Sequence, residues 1–256
     1  MIVAVASGKG GTGKTTVAVS LVLSLAAEQE FIGPARPLFL DCDVEEPNAA
    51  LFLRPVIEER KEAGRLVPEV DPVKCTYCRR CAEVCQYHAS AVVVQEALVF
   101  PQLCHACRSC TLTCPTGAIH EVLDVMRTIE RGRAGPIEYA QGTMNVGKAM
   151  AAPIIRQLKQ WVIPSDASIG LGKVPGDRPV LLDAPPGTAC PVVETMRGDD
   201  LCLLATEPTH SRLHDLRLAE EVARGELGLP VGMVINRDGV GDRGVDIYCA
   251  AEGIPF

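Results

Sequence analysis

The octet GKGGTGKT, residues 8–15, limits what this 256-residue chain can fold into more than any other feature in it. It satisfies the pattern G-x-x-x-x-G-K-[ST], which needs a strand before the loop and a helix after it. Both flanks fit: Ile2–Ala6 is a short apolar run, and Lys14–Ala27 is a helical stretch. In such a loop the glycines let backbone N–H groups turn toward phosphate oxygens, and the helix start adds the positive end of its dipole. The expected nucleotide-binding set is Gly8, Lys9, Gly10, Gly11, Thr12, Gly13, Lys14, Thr15 and Thr16. Lys14 would neutralise the β- and γ-phosphates of ATP, and the Thr15 hydroxyl would ligate Mg²⁺.

The rest of the chain supplies the sheet that such a loop requires. Pro37–Leu40 reads as a buried strand ending in Asp41, and Pro179–Leu182 as another running into DAPPG. Leu201–Thr206 and Val231–Asn236 are further strands; Lys148–Trp161 and Arg212–Gly225 read as helices. Apolar strands alternating with helices predict an α/β fold, a doubly wound and mostly parallel sheet with right-handed crossovers. Hydrophobic residues make up 47% and aromatics 4%, which suits an Ala/Val/Leu-rich core of this kind and rules out a disordered chain. The alternation breaks after the second strand, where charge-rich Glu58–Arg65 leads into a cysteine block and then a Gly-rich stretch around Gly132–Gly147. Residues 55–126 are therefore expected to form an inserted small α+β domain, with 1–54 and 127–256 together forming the P-loop domain.

Eight of the twelve cysteines lie between Cys75 and Cys114. No stretch approaches the ~18–20 apolar residues of a membrane span. The apolar run Val17–Ala27 begins where the loop's helix begins, which argues against a signal peptide. A cytoplasmic chain is expected, where clustered cysteines point to metal rather than to disulfides. Cys75, Cys78, Cys81 and Cys85 recur as Cys104, Cys107, Cys110 and Cys114, each 29 positions later, in two C-x₂-C-x₂-C-x₃-C runs. This is the arrangement of a bacterial two-cluster ferredoxin, in which the fourth ligand of each 4Fe–4S cluster comes from the other run. Cluster one would use Cys75, Cys78, Cys81 and Cys114; cluster two would use Cys104, Cys107, Cys110 and Cys85. The competing chemistry is a pair of Cys₄ zinc sites, which do not require a third and fourth cysteine at these spacings. Gln86 stands where the second run has Pro115, which leaves the ligands intact.

Lys9, in KGGTGKTT, is a second lysine near the start of the loop, and it resembles the deviant Walker motif of the MinD/ParA family, which includes the nitrogenase iron protein. The resemblance implies that Lys9 reaches across a dimer interface to the partner's nucleotide. LDCD, residues 40–43, resembles the segment after the family's second strand, which implies Asp43 orienting the attacking water and Asp41 nearer the Mg²⁺ shell. LLDAPPG, residues 181–187, resembles the Walker B and second switch segment, with Asp183 at the strand end to hold Mg²⁺ and Gly187 to let the switch move. VINR, residues 234–237, resembles the adenine-reading strand end, implying Asn236 on the base edge; a capping asparagine fits the same place. The catalytic set so implied is Lys9, Lys14, Asp43 and Asp183, with Thr15, Asp41, Asp43 and Asp183 around Mg²⁺. Cys190 stands seven residues after Asp183, like a cluster ligand of the nitrogenase iron protein, but no second cysteine lies between Cys114 and Cys190 to complete such a site, so a buried thiol at a helix start is expected there. The whole chain resembles MinD-superfamily P-loop ATPases with an inserted ferredoxin domain, a group labelled Mrp-like or cobyrinic acid a,c-diamide synthase-like. That resemblance implies a further strand and closing helix beyond GIPF, residues 253–256.

Three functions compete. One is an ATPase whose nucleotide-driven dimer switch is coupled to electron transfer through two 4Fe–4S clusters. The second is an ATP-dependent iron–sulfur carrier, which the resemblance expects to bridge its cluster with a C-terminal C-x-x-C; none follows Cys114. The third is a MinD-like positioning ATPase, which expects a membrane helix or a basic DNA-binding face. With 25 Lys+Arg against 32 Asp+Glu the net charge is −7, which gives no footprint for nucleic acid or an anionic membrane. The expected partners are a second copy or a paralogue, in an ATP-dependent homodimer or heterodimer, and an unidentified redox or cluster-acceptor protein.

Overall fold

The computed structural model describes residues 1–28, 35–144, 150–163 and 178–256. In chain order its elements are β1 (Ile2–Ala6), α1 (Lys14–Ala27), β2 (Leu38–Asp41), α2 (Ala49–Leu53), β3 (Val56–Val70), α3 (Arg80–Val84), β4 (Ser90–Val93) and β5 (Glu96–Val99). There follow α4 (Ser109–Thr113), β6 (Ile119–Ala134), β7 (Ile137–Met144), α5 (Ala152–Val162), β8 (Val180–Asp183), α6 (Cys190–Met196), β9 (Leu201–Thr206), α7 (His210–Glu220), β10 (Val231–Ile235) and α8 (Gly244–Glu252).

IVAVA, LFLD and VLLD show no polar alternation, the pattern of strands covered on both faces, and β1, β2 and β8 are buried along their whole length. The sheet runs β10-β9-β1-β8-β2-β7-β6-β3. Its pairs from β10 to β7 are all parallel, with Val5 level with Asp183 and Asp41 level with Asp183. Alternate residues of β1 feed two cores. Ala4 and Ala6 pack with Val192, Met196, Leu204 and Leu216, whereas Val5 packs with Val19, Val22, Phe39 and Leu181. The mostly parallel α/β class read from the sequence is the class observed. The C-terminal ends of β1, β2 and β8 come together, and in an open parallel sheet that is where ligands bind.

Two compact units share the chain: Met1–Lys61, Thr128–Met144 and Met150–Phe256 in one, Glu62–Arg127 in the other. Five strands were not read from the sequence, β4 and β5 within the expected insert among them. Glu58–Arg65, expected only as a charge-rich approach to the cysteines, lies within β3, and most of the Gly-rich stretch before residue 145 lies in β6 and β7. The pairs Arg60–Glu130, at 2.6 Å, and Arg131–Glu59 link the first unit's parts of β3 and β6. The expected helix Lys148–Trp161 is α5 within the described residues; 148–149 lie outside them. The expected helix Arg212–Gly225 is split, α7 passing into a π-helical turn over Glu221–Glu226.

The second unit repeats itself. Tyr77 and Ala106 have φ of 55° and 54°, Arg79 and Arg108 have 66° and 65°, and His88 and Gly117 have 50° and 62°. Each pair is 29 positions apart, so left-handed residues recur with the cysteines. The backbone bonds Asp71 N–H to Ala118 O and Phe100 N–H to Ala89 O, at 2.7 and 2.8 Å, tie the halves reciprocally.

Candidate functional site

The loop after β1 is shaped by residues that tolerate what it demands. Gly13 caps α1 with φ 86°, a left-handed conformation that a side chain resists. A Cβ on Gly8 would fall 2.0 Å from the Asp215 carbonyl oxygen, so only glycine lets the loop pass α7. The Asn236 Nδ2 donates to the Thr12 carbonyl at 3.0 Å, and its Oδ1 accepts from the Arg237 N–H at 3.0 Å. Asn236 thus braces the loop from the end of β10, with both ends of its amide engaged. Ser7, which the sequence reading passed over, ties the loop twice. Its Oγ donates to the Lys9 carbonyl at 2.9 Å, and its carbonyl accepts from the Gly187 N–H at 2.9 Å.

A cavity of about 370 Å³ opens beside this loop, lined by Gly10, Gly11, Thr12, Gly13, Lys14, Thr15 and Thr16 together with Asp43. The buried Lys14 Nζ lies 2.5 Å from Asp183 Oδ1. Asp183 Oδ2 is buried with no hydrogen-bond partner among the described residues, as is Thr12 Oγ1. An orphaned carboxylate oxygen beside a phosphate-type loop fits a hard cation such as Mg²⁺. Asp41 is fully buried; its Oδ1 accepts from the Asp43 N–H at 3.1 Å and its Oδ2 from the Ala49 N–H at 3.0 Å. It therefore fixes the turn from β2 into α2. Burial, reinforced by the nearby Asp183 carboxylate, pushes the Asp41 carboxyl up to about 7. Asp43 reaches the cavity itself, and burial raises its carboxyl as well. Lys9 is exposed and does not line the cavity. The sequence reading also missed Glu46, Asn48, Leu51 and Phe52, which line the cavity from α2 and the turn before it. Five residues are too few for helical periodicity to reveal.

In the second unit the eight cysteines divide between two cavities. Cys75, Cys78, Cys81 and Cys114 line one; Cys85, Cys104, Cys107 and Cys110 line the other. Each last cysteine of a run therefore faces the other run's cavity. Backbone N–H groups aim at sulfur, Ala89 at Cys85 Sγ (3.2 Å) and Ala106 at Cys104 Sγ (3.4 Å), the kind of contact that tunes a sulfur ligand. Arg65, buried, donates to the Cys104 and Pro101 carbonyls at 2.7 and 2.6 Å and so pins the start of the second run. Tyr87 and His105 stack over the second cavity with ring centroids 3.6 Å apart. Cys190 does begin a helix, α6, but it is exposed rather than buried as expected, while Cys42, Cys202 and Cys249 are buried.

The CobQ/CobB/MinD/ParA nucleotide binding domain matches residues 3–249. The chain belongs to that family. Within the CobQ/CobB/MinD/ParA family it is similar to the uncharacterized protein MJ0578 of Methanocaldococcus jannaschii, 31% identical over 224 residues, which cover 86% of this chain and 72% of that one. A shorter likeness, 51% identity over 51 residues, links 20% of this chain to 16% of the iron-sulfur cluster carrier protein of Pyrococcus abyssi. Among solved structures it is similar to the septum site-determining protein MinD of Pyrococcus horikoshii, complexed with Mg-ADP. There the TM-score is 0.53 at 17% identity, covering 100% of this chain and 78% of that chain, a likeness of fold. This member of the family is thus a nucleotide-binding P-loop protein with a MinD-type fold, and among its described residues no helix is long and apolar enough to cross a membrane.

Proposed function

We propose that this family member is an ATP-hydrolysing switch that couples nucleotide-driven dimerisation to electron transfer through two 4Fe–4S clusters in the cytoplasm. Residues 1–54 and 127–256 would form the ATPase, and residues 55–126 the cluster-bearing insert. The observation that carries the reading is the partition of the cysteines: each four-residue ligand set expected from the spacing lines a cavity of its own, in the same chain as a complete phosphate loop.

In the nucleotide site Lys14 binds the β- and γ-phosphates, and backbone N–H groups from Gly10 to Thr16 surround them. Thr15 and the free oxygen of Asp183 would hold Mg²⁺, which neutralises phosphate charge when bound. Asp43 orients the attacking water from the cavity wall, and Asp41 keeps Asp43 in place through the turn it fixes. Lys9 serves the partner's nucleotide, the partner being a second copy or a paralogue. The clusters would supply one-electron chemistry to a separate redox protein. Their eight cysteines set the ligand field, and Arg65 keeps Cys104 in register.

Purified without air, the chain should be brown, with roughly eight irons and eight acid-labile sulfides. Zinc without sulfide would overturn the reading. The crossed ligand sets make a sharper test: Cys85→Ser and Cys107→Ser should disturb the same spectroscopic cluster, and Cys114→Ser the other one.

The likeness to an iron-sulfur cluster carrier over 20% of the chain favours a second reading, ATP-dependent delivery of a cluster to an acceptor. Clusters held by four cysteines each should stay bound when loaded protein meets an apo-acceptor; fast ATP-dependent transfer would favour the carrier instead.

A further inference from the structure

The internal repeat of the second unit is faithful in its ligands and unfaithful in its rim charges. Around the Cys85–Cys104–Cys107–Cys110 cavity the left-handed Arg108 meets Glu121, Nε to Oε1 at 2.8 Å, and the next residue is Ser109. Twenty-nine positions earlier the same places are Arg79, Val92 and Arg80, and all three line the other cavity. The carboxylate that neutralises Arg108 is replaced by an apolar side chain opposite Arg79, and a second guanidinium takes the place of a hydroxyl. Arg79 and Arg80 are exposed, and among the described residues neither makes an ion pair, not even with Glu83 one turn further along α3. Lys74, nearby, is already paired with Asp71 at 3.2 Å. Two uncompensated positive charges thus border exposed Cys78, on a chain whose net charge is −7.

We propose that this rim, marked by Arg79 and Arg80, is the docking surface for an acidic electron-transfer protein, one that carries carboxylates around its own redox centre. The inference rests on the two-cluster reading above and adds which of the two cavities meets the partner. A local positive patch on an otherwise acidic chain orients an acidic partner during encounter, because repulsion elsewhere on the surface leaves one approach favourable. The second cavity offers no such signal: its arginine is paired and its mouth carries the Tyr87–His105 stack.

The test is equilibrium binding of an oxidised, acidic plant-type 2Fe–2S ferredoxin to the anaerobically loaded full chain, at ionic strengths from about 20 to 300 mM, with basic cytochrome c as the comparison. The ferredoxin should bind, and its affinity should fall steeply with salt. Arg79→Gln with Arg80→Gln should weaken binding roughly tenfold at low salt and flatten that dependence. Arg79→Lys with Arg80→Lys should retain most of the affinity, and Arg108→Gln should leave it unchanged. Glutamine is shorter than arginine but likewise unbranched at Cβ, so the left-handed position should accept it and iron and sulfide contents should match the unsubstituted chain. Matching contents with unchanged ferredoxin affinity would overturn the docking surface alone. Tighter binding of cytochrome c would also overturn it, as would tighter binding of a single-stranded oligonucleotide through the same arginines. Zinc without sulfide in the unsubstituted chain would overturn this inference and the cluster reading together.

Discussion

Lys14 and Asp183 form a buried ion pair, Nζ to Oδ1 at 2.5 Å, that joins the phosphate loop to the end of β8. The lysine that should meet phosphate and the carboxylate that should meet Mg²⁺ therefore hold each other across the site. Lys14→Ala should abolish nucleotide binding and leave Asp183 buried without a counter-charge, a loss of about 3–5 kcal/mol. Adding Asp183→Asn should recover part of the stability and none of the binding, because the stranded charge is removed while the phosphate contact is still missing. Denaturant unfolding and ADP titration of the two variants separate the effects. Alone, Asp183→Asn should reduce the affinity that ADP gains from Mg²⁺ by roughly tenfold or more.

The buried carboxyls give stability a pH dependence of known sign. Burial raises Asp41 from the usual 3.8 to about 7, and Asp199, also buried, to about 6. The folded chain keeps these protons in a range where the unfolded chain has released them. The stability they contribute is complete below pH 3.8, and is lost as pH rises through about 6 for Asp199 and about 7 for Asp41. Asp41→Asn should therefore flatten the upper part of the decline in Tm between about pH 5 and pH 7.5 in metal-free buffer, by roughly 3 °C or more. It should also lower Tm, because the Nδ2 that replaces one carboxylate oxygen cannot accept from the Asp43 or Ala49 N–H group it would face. A wild-type slope in the variant would remove Asp41 as the source.

Asn236 separates two roles that its position alone left open. Its amide already holds the Thr12 carbonyl and the Arg237 N–H. Asn236→Ala should thus loosen the loop and weaken ATP and GTP alike, by roughly 3- to 10-fold. A side chain reading the base edge would instead change the ratio of the two affinities, which competition titration measures.

Much of this site could be read from the chain because local chemistry dictates it. The loop from Gly8 to Thr15 needs its glycines and lysine wherever it occurs, and α1 and β9 have the bounds read for them, Lys14–Ala27 and Leu201–Thr206. The sharing of Cys85 and Cys114 between opposite cavities follows the division that the two-cluster ferredoxin pattern expects, in which the fourth cysteine of each run serves the other. β3 was not legible. Glu58, Glu59 and Arg60 show no apolar face, and what makes them a strand is pairing with residues some seventy positions away, Glu130 and Arg131 among them. For the same reason Asp41 could be placed at a strand end but not assigned its two backbone donors, one of which begins a helix eight residues on.

Lys9 carries the last prediction, because it separates a switch that acts as a dimer from a P-loop protein that acts alone. Its side chain is exposed and takes no part in lining its own cavity, although its carbonyl is fixed by Ser7. A lysine held outside its own site can do little for the nucleotide bound there. Lys9→Ala should accordingly bind ATP with nearly unchanged affinity. If the lysine reaches a partner's phosphates, it becomes buried and paired only in the dimer, where such a contact contributes on the order of 2–5 kcal/mol. That is enough to decide whether a dimer forms at micromolar concentration. Lys9→Ala should therefore stay monomeric with ATP by light scattering, and hydrolysis should fall roughly tenfold or more. Asp43→Ala should dimerise without hydrolysing, since its defect lies in its own cavity. Mixed together, the two chains should regain activity, because one composite site of the heterodimer then has both Lys9 and Asp43. Normal ATP-dependent dimerisation of Lys9→Ala, with no recovery on mixing, would leave Lys9 a solvated loop residue and the dimer switch without its trans contact.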